Sequence, residues 1–163
     1  MVSDAEYKAI VDFLYKEARF ADEARYGEWE ALWEDDAIYW VPATTSPDAD
    51  PARQLSHIYD NRTRIATRVK LLQSGYRYSQ EPASPMRRLI SNVEVDKTET
   101  GEFIAGSNFL LMELSIQARH EMHLWAGRTT HRLRQVNGQL KMVEKKVVLV
   151  NAAEPIPNLS FLV

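Results

Sequence analysis

The sequence contains no cysteine. That excludes disulfides, thiolate zinc sites, a cysteine nucleophile and any iron–sulfur cluster held by this chain's own thiolates. Glycine is scarce, at six residues, and none falls at GxGxxG or GxxxxGK spacing, so phosphate-cradling loops are missing too. No serine sits in a GxSxG elbow. No apolar run reaches the ~20 residues a membrane-spanning helix needs. The first residues, MVSDAEYKAI, lack the basic-then-apolar layout of a signal peptide, which makes the cytoplasm the expected compartment. A net charge of −3 argues against a nucleic-acid surface. What remains is ordinary globular composition, 45% hydrophobic and 26% charged over 163 residues. That is enough for one domain, 1–163, with an unaided core.

Helices come first. Ser3 followed by Glu6 is a capping-box pattern that opens a helix over Ser3–Ala24. Ala9, Ile10, Phe13, Leu14, Glu17, Ala18 and Ala21 form its stripe at three- and four-residue spacing. A second short helix is expected through EARYGEWEALW, with Tyr26, Trp29, Leu32 and Trp33 facing inward. AIYWV, Ala37–Val41, reads as a short strand stopped by Pro42. The loop ATTSPDADPARQ follows, then a third helix from about His57 to Leu72 with Ile58, Ile65, Val69 and Leu72 as its apolar positions. Gln80–Pro85 is a loop because of its two prolines.

Strands close the chain. Arg87–Asp96 is one, KTETGE turns it, and Glu102–Val150 holds three more in series. Asn137-Gly138 is a strong hairpin signal, since both positions accept positive φ. A further reversal is expected near Ala118–Glu121. Helices ahead of a meander predict an α+β fold, a cone of helices packed on one face of a curved, mainly antiparallel sheet.

The chemistry-bearing residues have ordinary readings beside functional ones. His120 and His123 are spaced for opposite faces of a strand, which argues against a metal site. His57 and Asp60 fit either an acid–base couple or a polar cluster at a helix start. Arg53, Arg62, Arg64, Arg68 and Lys70 fit an anion site or a solvated helix face. Arg87-Arg88 and Lys145-Lys146 say more. Adjacent strand residues face opposite ways, so one cation of each pair points inward and needs a carboxylate, such as Glu113 or Glu144, or a partner chain. Trp29, Trp33, Tyr39, Trp40 and Trp125 either line an aromatic pocket or fill the layer between helices and sheet. No constellation assembles an active site.

Several blocks together resemble one family. They are EARFADEARYGEWEALWEDDAIYWVP at 17–42, the pair Tyr59-Asp60, PMRRLISNVEV at 85–95, GRTTHRLR at 127–134, EKKVVLVNA at 144–152 and the closing NLSFLV. In this order they are similar to the small (beta) subunit of aromatic-ring-hydroxylating dioxygenases. The resemblance implies the cone fold of nuclear transport factor 2 and ketosteroid isomerase. It also implies a non-catalytic subunit, three copies of which join three large (alpha) subunits in a hetero-hexamer that acts in aromatic catabolism. The Rieske [2Fe–2S] cluster, the mononuclear iron and the substrate pocket would then sit on the large subunit, with NAD(P)H electrons arriving through separate components.

On that reading the residues of interest are interface residues. Arg88, Asn92, Arg134, Lys145 and Lys146 are expected to make polar subunit contacts, and Phe161 and Leu162 to act as apolar anchors. The alternative is a stand-alone isomerase or dehydratase of the same fold acting on a hydrophobic ligand. Ketosteroid isomerases place their general-base Asp just before the proline that corresponds to Pro42. This chain has Val41 there, which cannot move a proton. A dehydratase trio would have to come from Tyr39, Asp60 and His123.

Overall fold

A computed structural model describes residues 1–74, 83–116 and 120–163. Its elements run α1 (Asp4–Asp22), α2 (Tyr26–Glu30), β1 (Trp33–Pro42), β2 (Ser56–Asn61), α3 (Arg62–Gln73), β3 (Met86–Lys97), β4 (Phe103–Ser115), β5 (Glu121–Val136) and β6 (Gln139–Leu149). The six strands form one sheet in the order β2-β1-β6-β5-β4-β3. Every pairing is antiparallel except β1 with β6. That is the curved, mainly antiparallel α+β architecture expected of this element order. The expected loop at Gln80–Pro85 and the reversal near Ala118–Glu121 lie partly outside the described residues.

Local chemistry sets the element ends. Ser3 and Glu6 close the capping box of α1: the Glu6 amide donates to Ser3 Oγ at 3.2 Å and the Ser3 amide to Glu6 Oε2 at 2.8 Å. Ala24, at φ 56°, stops α1 in the left-handed region. Asn137 and Gly138 turn the β5–β6 hairpin at φ 50° and 78°, as a two-residue primed turn requires. Asn92, at φ 53°, sits where the β3–β4 register slips between Ser91 and Glu94. That is a bulge in an edge strand.

Two expectations need correction. The third helix does not begin at His57, because Ser56–Asn61 is strand β2, paired antiparallel with β1. Ile58 lies seven residues before Ile65, two full helical turns, so it falls in phase with a helix it does not join. The true start is set by Asn61, whose side chain accepts from the Arg64 amide at 3.0 Å. The second helix is likewise short, Tyr26–Glu30, after which Ala31 and Leu32 form a turn and Trp33 opens a β1 longer than the AIYWV core.

The core lies between the helices and the inner face of the sheet. Ile10, Phe13 and Leu14 of α1 and Ile65 and Val69 of α3 pack with Leu111, Leu133, Met142 and Val147 of the strands. The closing residues Leu159, Phe161, Leu162 and Val163 belong to the same cluster. Among the described residues no helix is long and apolar enough to cross a membrane.

Candidate functional site

Strand register draws one line of residues across the inner face. Asp60 faces Tyr39, Tyr39 faces Lys145, Lys145 faces His131, and His131 faces Ala105. Helix α1 lays Glu17 over this line. Glu17 and Lys145 are each 2% exposed and His131 is 3%. Lys145 Nζ and Trp29 Nε1 both donate to Glu17 Oε1 at 2.7 Å. His131 Nε2 lies 3.6 Å from Glu17 Oε2, an ion-pair separation beyond hydrogen-bond length. Neither His131 ring nitrogen has a hydrogen-bond partner among the described residues.

Burial is the largest influence on each of these groups, but it does not win everywhere. It opposes ionisation of Glu17, yet the Lys145 charge, then His131 and Arg88, outweigh it and hold the carboxyl well below the usual carboxylate range. Burial pushes the Lys145 ammonium down despite Glu17. It also pushes His131 down, against the pull of Glu17, which favours the neutral imidazole. Tyr39 is driven far above an ordinary phenol by burial. At neutral pH the line is therefore a paired carboxylate and ammonium, a neutral imidazole and a neutral phenol.

The closing segment seals this interior. Tyr39 Oη donates to the Val163 carbonyl at 2.8 Å and accepts from the Val163 amide at 3.1 Å. Arg88, its side chain 4% exposed, binds Asp22 through Nε at 2.7 Å and the Leu162 carbonyl through an Nη at 2.7 Å. Phe161 meets Trp125 edge-on with ring centroids 5.3 Å apart. Burying each such side chain is worth about 1.5–3 kcal/mol. The larger clefts lie at the rim instead. One of about 750 Å³ runs between the end of α1 and the β3–β5 rim, lined by Asp22, Pro85, Met86, Arg87, Met112 and Met122 among others.

The predicted residues therefore scatter. Tyr39 and Asp60 are neighbours, but Tyr39 holds Val163 and Asp60 accepts from Arg68 Nε at 2.7 Å. His123 sits at the rim end of β5, 3.7 Å from Glu121, and the histidine in line with Tyr39 is His131. His57 Nε2 meets the Ala152 carbonyl at 2.8 Å, and among the described residues no hydrogen bond or ion pair joins it to Asp60. Arg62 pairs with Glu30 and Arg68 with Asp60, so the chain's own carboxylates account for two cations of the α3 run.

One cation of each adjacent pair does point inward, Arg88 and Lys145. Their carboxylates are Asp22 and Glu17 on α1, not Glu113 or Glu144. Glu113 instead accepts from Trp125 Nε1 at 3.2 Å. Lys146 faces outward, 4.6 Å from the centroid of the Trp40 ring. Arg134 binds Asp36 and Glu102, and Asn92 is exposed on its bulge. Phe161 and Leu162 are buried in the chain's own core. The aromatics divide: Trp29, Trp33 and Tyr39 form one cluster at 5.3–5.8 Å, while Trp40 pairs with Tyr59 and Trp125 with Phe161.

Sequence reasoning did not single out Glu17 or His131. The signal for Glu17 was a carboxylate inside an apolar helical stripe; the signal for His131 was its strand parity with Trp125, Thr129 and Leu133.

One end of the sheet's outer face is apolar, while Asn108, Arg128, Arg132 and Lys146 make the rest polar. Leu89 opposes Leu110, Leu110 opposes Ala126, Met112 opposes Leu124, and Leu114 opposes Met122. Leu89 is 61% exposed, Met122 62%, Leu124 66% and Val150 74%. Contiguous exposed apolar rows of this kind are uncommon on the surfaces of monomeric proteins.

Comparison with known proteins places the chain. The family model for the ring hydroxylating beta subunit matches residues 16–154. The small oxygenase component of the p-cumate 2,3-dioxygenase system of Pseudomonas putida is 31% identical over 141 residues, 86% of this chain and 77% of that protein. Benzene 1,2-dioxygenase subunit beta of Pseudomonas putida is 28% identical over 162 residues, 93% of this chain and 86% of that protein. The crystal structure of the beta subunit of benzoate 1,2-dioxygenase from Burkholderia mallei shares the fold, with a TM-score of 0.74, 21% identity and 99% of both chains covered. With the fold, the filled interior and the family match in agreement, this chain belongs to the beta subunits of the ring-hydroxylating dioxygenases.

Proposed function

We propose that this chain, as one domain over 1–163, is the small subunit on which an aromatic-ring-hydroxylating dioxygenase of the cytoplasm assembles. Three copies would join three large subunits, which would carry the Rieske cluster and the mononuclear iron. Electrons would come from NAD(P)H through other components. The chain's own part is architectural: it presents a rigid cone whose interior groups pair with one another.

One observation carries this reading, the apolar row Leu89, Leu110, Met122 and Leu124 on the outer face of the sheet. An exposed surface of this kind is stabilised by a partner. Lys146, Arg134 and Asn92 flank the sheet as its polar contacts. Arg88, Lys145, Phe161 and Leu162 support the interface from within by fixing the inner face. The test is the solution mass of the chain and of Leu124→Glu. We expect self-association that the glutamate reduces at least tenfold, since a charge in an apolar contact forfeits burial and pays desolvation. A monomeric wild type, with and without the large subunit, would refute it.

A further inference from the structure

We propose that the groove between α1 and the free edge of β3 is a binding site for a small carboxylate carried on an apolar or aromatic body. Strand β3 ends the sheet, so one side of its backbone lacks a strand partner. Helix α1 runs along that side and caps it at two points. The Tyr7 hydroxyl donates to the Val93 carbonyl at 3.2 Å, and the Arg88 amide donates to Asp22 Oδ2 at 3.0 Å. Between these caps lies a cleft of about 460 Å³, lined by Tyr15, Ala18 and Arg19 of the helix and by Arg87, Leu89 and Ile90 of the strand among others. A partner strand has no room to run along an edge closed at both ends. The opening suits a small molecule instead, and its volume is usual for such sites.

Donors around this cleft stand ready for an acceptor. Backbone groups of an edge strand alternate between the sheet and the open side. The Arg88 amide is on the open side, so the Ile90 amide, two residues on, is there too. Tyr15 and Arg19 lie one helical turn apart on the opposite wall. Among the described residues no hydrogen bond or ion pair reaches the Tyr15 hydroxyl or the Arg19 guanidinium. Charge then selects the ligand. Asp22 and Arg88 neutralise each other at 2.7 Å, both side chains buried. Glu23 is shared, 3.6 Å from Arg25 and 3.7 Å from Arg87. Arg19 is left over, so the cleft carries an uncompensated positive charge and attracts an anion. A guanidinium fork beside a hydroxyl and an amide matches the two oxygens of a carboxylate. Ala18, Leu89 and Ile90 supply an apolar lining for the body that carries it. The inference does not rest on the subunit reading, because every group it uses belongs to this chain.

The test titrates the full chain with benzoate and follows backbone amides by heteronuclear NMR. We expect saturable binding with a Kd of about 1 mM or tighter. The Ile90 amide should shift while that of Val147, in the core, stays still. Benzamide, the same ring without the charge, should bind at least about tenfold more weakly, and so should acetate, the carboxylate without the ring. Arg19→Gln should weaken benzoate about tenfold, as loss of one charge-assisted hydrogen bond predicts. Arg19 is exposed, so this substitution leaves the core intact. Arg53→Gln removes an exposed cation from the loop before β2, at the other edge of the sheet, and should leave binding unchanged. Absence of saturation, an Ile90 amide that does not move, or equal binding by benzamide or by Arg19→Gln overturns the proposal.

Discussion

Replacing Lys145 by Met probes the interior most sharply. The ammonium contributes one of two 2.7 Å hydrogen bonds to Glu17 Oε1, and its charge is the leading influence that keeps that carboxylate ionised against burial. Met fills the same volume without the charge. Glu17 then remains buried with Trp29 Nε1 as its bonded partner, and removing one side of a buried pair costs about 3–5 kcal/mol. Against a typical domain stability of about 5–15 kcal/mol, that is a large share. The loss should depend on pH. In wild type the depressed Glu17 contributes stability that is present above its ordinary value of 4.5 and is lost as pH falls through its folded value. Without Lys145 burial raises that value, so the carboxyl neutralises at higher pH and the variant's deficit shrinks between pH 7 and pH 5. Glu17→Leu in the same background should recover much of the loss, less about 1–3 kcal/mol for the unpaired Trp29 donor. Urea unfolding followed by circular dichroism at the two pH values measures all of this. A deficit below about 1 kcal/mol at pH 7, or one equal at both pH values, would refute the pairing argument.

His131 predicts a second pH effect. Its folded value lies below the ordinary 6.5, so the unfolded chain binds the proton first and stability falls as pH drops from about 6.5. The surrounding Glu17, Lys145, Arg88 and Tyr39 are unchanged in His131→Phe, which should flatten unfolding midpoints between pH 7 and pH 5.5; an unaltered slope would assign the effect elsewhere. Gly127→Ala places a Cβ 2.2 Å from the Val148 carbonyl oxygen and 3.0 Å from Leu149 Cα. Backbone must move, so a loss of about 1–3 kcal/mol is expected and would appear as a thermal midpoint lower by several degrees. Lys146→Glu removes the cation over Trp40 and reverses a charge on the outer face. It should weaken assembly, and an unchanged oligomer mass would remove Lys146 from the interface.

Much of this was legible in the sequence because the signals were local. Ser3 with Glu6, Asn137 with Gly138 and the strand parity around Trp125 each fix geometry within a few residues. That one cation of each pair Arg87-Arg88 and Lys145-Lys146 points inward followed from parity as well, but which one, and its carboxylate, did not. Asp22 and Glu17 lie on a helix more than sixty residues away in the chain, and only packing brings them over the sheet. Strand β2 was hidden because Ile58 repeats at helical phase with Ile65, while the deciding Asn61 cap acts through one side chain. His123 and His131 share a strand face. Parity could not say which lies deep, and the register with Lys145 does. The fate of Phe161 and Leu162 was equally tertiary: an apolar end demands cover, and here the cone supplies it.

The most direct measurement is purification of the tagged chain from cells growing on an aromatic compound, with mass spectrometry and iron analysis of what elutes. The account predicts a stoichiometric larger chain bearing Rieske cysteines and histidines, with iron, in a complex whose mass matches three of each subunit. A lone, iron-free chain recovered under those conditions would contradict it.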